Sequence, residues 1–169
     1  MLSNNTRNYF YKNINMEPKK PIKRDKVLQP LSHDHHQGLL LCWKIRTGIK
    51  KGVELERIKA YTDWFYKTHL IPHFETEEAW IFPILGNEHE LVKKALAEHR
   101  RIKRLCESNA DLNRNLSLLE EELESHIRFE ERILFNEIQT AASDEDLLMI
   151  SEKHIESEFL ENTDDEFWK

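Results

Sequence analysis

Along most of this chain apolar residues recur at alternating spacings of three and four, the period of a helix that buries one face. From Leu31 the pattern continues through Leu39, Cys42 and Ile49 and stops at Lys51-Gly52, where a glycine can take the left-handed conformation that ends a helix. Ser32 offers an N-cap for this first helix. A second helix opens near Val53 or Glu54, must pass or bend at Pro72, and ends around Phe82-Pro83. After the Gly86-Asn87 loop a third helix occupies about Glu88 to Glu107, with Val92, Ala95, Ile102 and Cys106 on its apolar face. A fourth, about Leu112 to Thr140, carries the stripe Leu116, Leu119, Leu123, His126, Glu130 and Ile133, and Ser143 caps a short fifth helix that reaches roughly Ile155. Long amphipathic helices joined by short loops predict an all-α, up-down-up-down four-helix bundle with a short C-terminal helix. Its expected extent is residues 31–142, after a flexible basic arm over 1–30 and before a short helix and acidic tail over 143–169.

These stripes are not wholly apolar. His99, His126 and Glu130 occupy interior positions, and burying such groups is costly unless they are paired or coordinated. The segments from His73 to Phe82 and from His126 to Phe135 repeat one pattern, with a histidine followed four residues later by Glu-Glu and then by an aliphatic residue and Phe. Positions i and i+4 lie about 40° apart on a helix, so His73 with Glu77 and His126 with Glu130 each aim an imidazole and a carboxylate at one point. Glu78 and Glu131 lie about 140° from the same histidines and read as supporting or surface groups. In the first helix Leu31, Leu39, Cys42 and Ile49 all fall within about 40° of His35, which makes it the inward histidine of Ser32-His33-Asp34-His35-His36. Asp34-His35 and Glu98-His99 echo each other as an acid before the inward imidazole.

The candidate ligands are therefore His35, His73, Glu77, His99, His126 and Glu130. Imidazoles and carboxylates without thiolate suit iron or manganese and tolerate zinc. Six donors exceed what one tetrahedral ion takes and fit a dinuclear site with bridging carboxylates and open positions. Phe82 and Phe135 are expected to wall this pocket against water, and His69, one turn before His73, is a spare donor, a partner that supports a ligand, or a surface residue. Facing carboxylates in such a site are expected to take up protons readily once the ions are removed.

Composition narrows the class further. With 169 residues and 39% hydrophobic content the chain buries one core, and four Gly and five Pro favour helix nearly throughout. Cys42 and Cys106 lie on apolar faces and read as buried free thiols, which fits a reducing, cytoplasmic setting. No apolar run approaches the roughly 18 residues of a spanning helix, so no membrane partner is expected. The net charge of −6 hides a basic start, with Lys19-Lys20-Pro21-Ile22-Lys23-Arg24 reading as a solvated arm and not as a nucleic-acid surface.

Taken together, His73-x-x-x-Glu77-Glu78 ending in Phe82-Pro83, the Glu98-His99 element, and His126-x-x-x-Glu130-Glu131 ending in Leu134-Phe135 resemble the hemerythrin-like (HHE cation-binding) family over about residues 30 to 140. The resemblance implies a non-haem centre of two iron ions inside a four-helix bundle that handles oxygen or nitric oxide. Oxygen-carrying members have two ligand histidines four apart on the third helix, whereas here Ala95 precedes and Lys103 follows His99 at that spacing. The four-histidine, two-glutamate set is similar instead to di-iron proteins of iron–sulfur-cluster repair and to the iron-sensing hemerythrin domain of an F-box ubiquitin ligase. Two functions follow as expectations. One is a di-iron protein that binds or reacts with a small diatomic gas or peroxide, in protection or repair of other iron centres and with an external reductant. The other is an iron- or oxygen-sensing module without turnover, read by a protein partner.

Overall fold

The computed structural model describes residues 23–153 and 158–169. A 3₁₀ turn, Lys26–Leu28, leads into helix α1, Gln29–Lys51. Pro30 sits in the first turn of α1, where a missing amide hydrogen is tolerated, so the helix begins there and not at Ser32. The Ser32 hydroxyl instead donates to Glu131 at 2.7 Å. At the other end Gly52 adopts φ 69°, and the amides of Gly52 and Val53 close onto carbonyls of the last turn.

Helix α2 covers residues 55–81 and is not uniformly α. Its α segment Leu55–Phe65 is followed by a π turn, Tyr66–Leu70, a second α segment, Ile71–Thr76, and a second π turn, Glu77–Ile81. The first π turn lies immediately before Pro72, whose ring removes an amide from the hydrogen-bond ladder, so the helix passes the proline without ending. Helix α3, Glu90–Glu107, starts at an N-cap made by His89. Helix α4 covers residues 112–141, with a π turn at Glu130–Leu134 between the α segments Leu112–Phe129 and Phe135–Ala141. Helix α5, Asp144–Lys153, is capped by the Ser143 hydroxyl as predicted. The predicted end of this helix near Ile155 lies outside the described residues, as do His154 and residues 1–22 of the expected arm. The last part of that arm is packed, with Leu28 fully buried and Arg24 held on Glu131.

The described residues form an all-α bundle without strands. Its core is two apolar clusters with a polar layer between them. Helix α1 passes from Leu31 in one cluster, through His35, to Leu41 in the other; α2 runs the opposite way from Phe74 through Glu77 to Ile81. Helix α3 goes from Ala95 through His99 to Ile102, and α4 returns from Ile127 through Glu130 to Leu134. This alternation is the up-down-up-down order expected from the short connections. Ile150 of α5 packs into one apolar cluster, while Phe167 and Trp168 of the C-terminal segment pack into the other. Trp43 is 48% exposed. No helix of the described residues is long and apolar enough to cross a membrane.

Ile102, with no exposed surface, should lose about 2–5 kcal/mol of stability on replacement by alanine, whereas Leu148→Ala at a 62% exposed site should change it by less than about 0.5 kcal/mol. Urea denaturation of both variants measures the contrast.

Candidate metal centre

The polar layer brings all six candidate ligands together. His35, His73, Glu77, His99, His126 and Glu130 are between 0% and 7% exposed. The Glu77 Oε1 lies 3.2 Å from Nε2 of His73 and 3.6 Å from Nε2 of His35, while its Oε2 lies 3.3 Å from Nε2 of His99. Glu130 Oε2 lies 3.1 Å from His35 and 3.2 Å from His126, and its Oε1 lies 3.8 Å from His99. Two groups of four result, His35, His73, Glu77 and Glu130 on one side and Glu77, His99, His126 and Glu130 on the other, with donor atoms in each group within 4.8 Å of one another. Both carboxylates belong to both groups.

None of these approaches has hydrogen-bond geometry. Nε2 of all four histidines and both oxygens of Glu77 and Glu130 are buried without a hydrogen-bond partner. A native interior rarely leaves so many polar atoms unsatisfied, because each costs its full desolvation. The separations explain the arrangement. Two donors on a common ion at about 2.1 Å stand about 3.0–3.4 Å apart, close to what most of these pairs show. The donors converge on points in space and not on each other, so the residues present fit cations.

Local winding sets which side chains reach the layer. Two of the three π turns described above begin at Glu77 and Glu130 themselves. A π turn adds one residue to a turn of helix, so residues beyond it are rotated relative to an uninterrupted α-helix. This corrects the fourth-helix stripe: Ile133, predicted inward, is only half-buried, and Leu134 and Phe135 are fully buried in its place. Phe135 stacks on His35 with ring centroids 5.2 Å apart, Phe82 lies 5.4 Å from His99, and Phe74 stacks on His99 at 3.9 Å.

The outward nitrogen of every histidine is held by an acid from a neighbouring helix. Asp34 of α1 accepts from Nδ1 of His73 at 3.2 Å, and Glu78 of α2 accepts from His99 at 2.7 Å. Glu98 of α3 accepts from His126 at 3.0 Å, and Glu131 of α4 closes the ring on His35 at 2.7 Å. Each acid is adjacent in sequence to a candidate ligand on its own helix. A hydrogen bond at Nδ1 orients the ring and leaves Nε2 to face the centre. Three of the acids are tied in turn to cations, Glu131 to Arg24 at 3.1 Å, Glu78 to Lys103 at 3.3 Å, and Glu98 to Lys94. Lys103, where a fifth histidine would stand, thus supports a supporting acid. The Asp34-His35 and Glu98-His99 pairs are visible in the sequence and helical angle sets Glu78 and Glu131 apart, but periodicity does not connect the four acids. The signal was an acid next to a candidate ligand on all four helices.

His69 belongs to neither donor group; His33, His36 and His89 are exposed. The two cysteines are buried free thiols pushed up to about 12 by that burial.

A family model described as the Hemerythrin HHE cation binding domain matches residues 26–138. No curated protein and no solved structure matches the chain.

Protonation of the metal-free layer runs opposite to the sequence-based expectation that its carboxylates take up protons. Burial favours neutral groups, but the facing charges outweigh it. His73 is pushed up to about 9 by Glu77 and Asp34, His126 to about 9 by Glu130 and Glu98, and His35 is raised by Glu130, Glu131 and Glu77. Burial would raise Glu77, and burial together with Glu77 would raise Glu130, yet the imidazoles hold both below the ordinary carboxylate value. A raised imidazole pKa stabilises the fold fully below 6.5 and loses that contribution as pH rises through about 9. A depressed carboxylate stabilises above 4.5 and loses it on acidification. The metal-free chain should therefore melt highest between about pH 4.5 and 6.5 and lose stability towards pH 9, as thermal melts across that range will test.

Proposed function

Because the chain belongs to the hemerythrin HHE cation-binding domain family, we propose that its two overlapping donor groups hold two iron ions and that the protein binds or reacts with oxygen, peroxide or nitric oxide. His35 and His73 serve one ion, His99 and His126 the other, and Glu77 and Glu130 lie between them. The observation that carries this reading is the set of eight inward donor atoms, all buried and none with a hydrogen-bond partner. Iron held by these residues would supply redox chemistry and a place for a small molecule to bind. The chain's own part is orientation and exclusion of water: Asp34, Glu78, Glu98 and Glu131 fix the rings, and Phe74, Phe82 and Phe135 wall the layer. The same donors accept manganese or zinc, which makes metal content the deciding measurement.

Protection or repair of other iron centres is the role we favour, in a reducing, cytoplasmic compartment that suits the two unpaired thiols. A sensing role without turnover has one observation in its favour, a C-terminal segment beyond the family match that packs over the cavity beside the histidines. Consumption of peroxide or nitric oxide under reducing conditions separates the two.

Protein purified without oxygen should carry two irons per chain by metal analysis; one tightly bound zinc with no uptake of iron would overturn the proposal. Glu77→Ala and Glu130→Ala should each lose metal severely. Glu78→Ala and Glu131→Ala should retain both ions while affinity falls about 10–100-fold, the usual cost of removing a group that orients a ligand. Competition titrations with a chelator measure the difference.

A further inference from the structure

Beside the polar layer lies a cavity of about 30 Å³, lined by His35, His73, His126, His69 and, from outside the four-helix bundle, Phe159. That volume holds about two water-sized molecules. The Phe159 ring lies 4.7 Å from His69 and 6.1 Å from Phe65, and His69 Nε2 is buried there without a hydrogen-bond partner. Phe159 is flanked by Glu158 and Leu160, both exposed, so its ring alone turns inward.

Two residues later the chain is pinned. Glu161 accepts from Lys44 at 2.5 Å and from Tyr61, and Lys44 is only 5% exposed, so withdrawing Glu161 would leave a buried cation without its counter-charge. The Lys44 ammonium also lies 3.9 Å from the centre of the Trp168 ring. Arg57 grips Asp165 through two hydrogen bonds of 2.7 and 2.8 Å, and Lys51 donates to the carbonyls of Trp168 and Lys169. Phe167 fills a socket that exists because residue 48 is glycine. A Cβ there would stand 2.7 Å from the Phe167 ring and 2.8 Å from Ile58.

We propose that the C-terminal segment 158–169 is the access gate of the metal centre, with Phe159 as the flap that closes the cavity over His69 and the stretch from Glu161 to Lys169 as its anchor. The gate rests on the reading of the six His and Glu residues as that centre. Molecules of two or three heavy atoms pass when the Phe159 side chain swings out, and larger ones are excluded while the anchor holds. His69, which joins neither donor group, offers its ring nitrogen to a molecule in transit.

The test uses the full chain and two probes that need no metal. Diethyl pyrocarbonate labels accessible imidazole nitrogens, and mass spectrometry reads the rate at His69. Phe159→Ala should raise that rate about tenfold or more, since a ring contact holds the closed state, whereas Leu160→Ala, at a 72% exposed site, should leave it unchanged. Phe159→Leu keeps a smaller apolar cover and should give an intermediate rate, and it decides the matter if the alanine variant fails to fold. A wild-type rate in the Phe159 variants, or equal acceleration in Leu160→Ala, overturns the gate. Xenon under pressure should shift the methyl resonances of Leu123 and Ile127, which line the cavity, and no shift overturns the chamber. Both readouts are taken with and without metal, so unchanged His69 labelling in the Phe159 variants sinks the gate even if iron binds, whereas failure of the chain to take up any metal sinks the reading on which the gate rests.

Discussion

Two glutamates with no exposed surface lie in the middle of an apolar bundle, and the rest of the molecule is arranged around the cost of keeping them there. Their oxygens make no hydrogen bonds, and the nitrogens that face them make none either. Such a layer holds together only if something positive sits between the groups, cations in the loaded protein and protons on the imidazoles without them. The ring of Asp34, Glu78, Glu98 and Glu131 follows from the same constraint. Each helix holds the histidine of another through a carboxylate, so the four helices are cross-tied at the level of the layer and no imidazole can rotate away alone.

The winding of α2 and α4 serves this layer. Both carry a π turn that starts at the inward-facing glutamate. The added residue lets a helix present Glu77 or Glu130 inward, keep Glu78 or Glu131 beside it for a neighbouring histidine, and still return Ile81-Phe82 or Leu134-Phe135 to the core. Apolar clusters on either side confine the polar groups to one level, and each cluster is closed at its far end by a segment outside the four long helices.

Closure of the two ends differs in character. Helix α5 adds Ile150 to an apolar surface. The C-terminal segment adds Phe167 and Trp168 together with a buried Lys44–Tyr61–Glu161 cluster, and it reaches the cavity beside the histidines, as α5 does not. A chain end this acidic reads from composition as a tail. It is ordered here because its acids meet Lys44 and Arg57 and its aromatics meet a groove opened by Gly48.

The sequence by itself determined the helices, their order and the six candidate ligands, because helical periodicity is local and a polar residue on an apolar stripe announces that it is buried. His35 was separable from His36, and Glu77 from Glu78, by angle alone. Three things were decided only in the tertiary structure. Helix α1 starts at Gln29, with Pro30 in its first turn, and Ser32, the expected cap, donates instead to Glu131, a residue of another helix. The place of Ile133 went to Leu134 because a π turn depends on what the turn must present to its neighbours, which no local propensity encodes. The pairing of acid with histidine, and of Phe159 with His69, joins residues far apart in the chain. Such contacts exist only once the helices have packed.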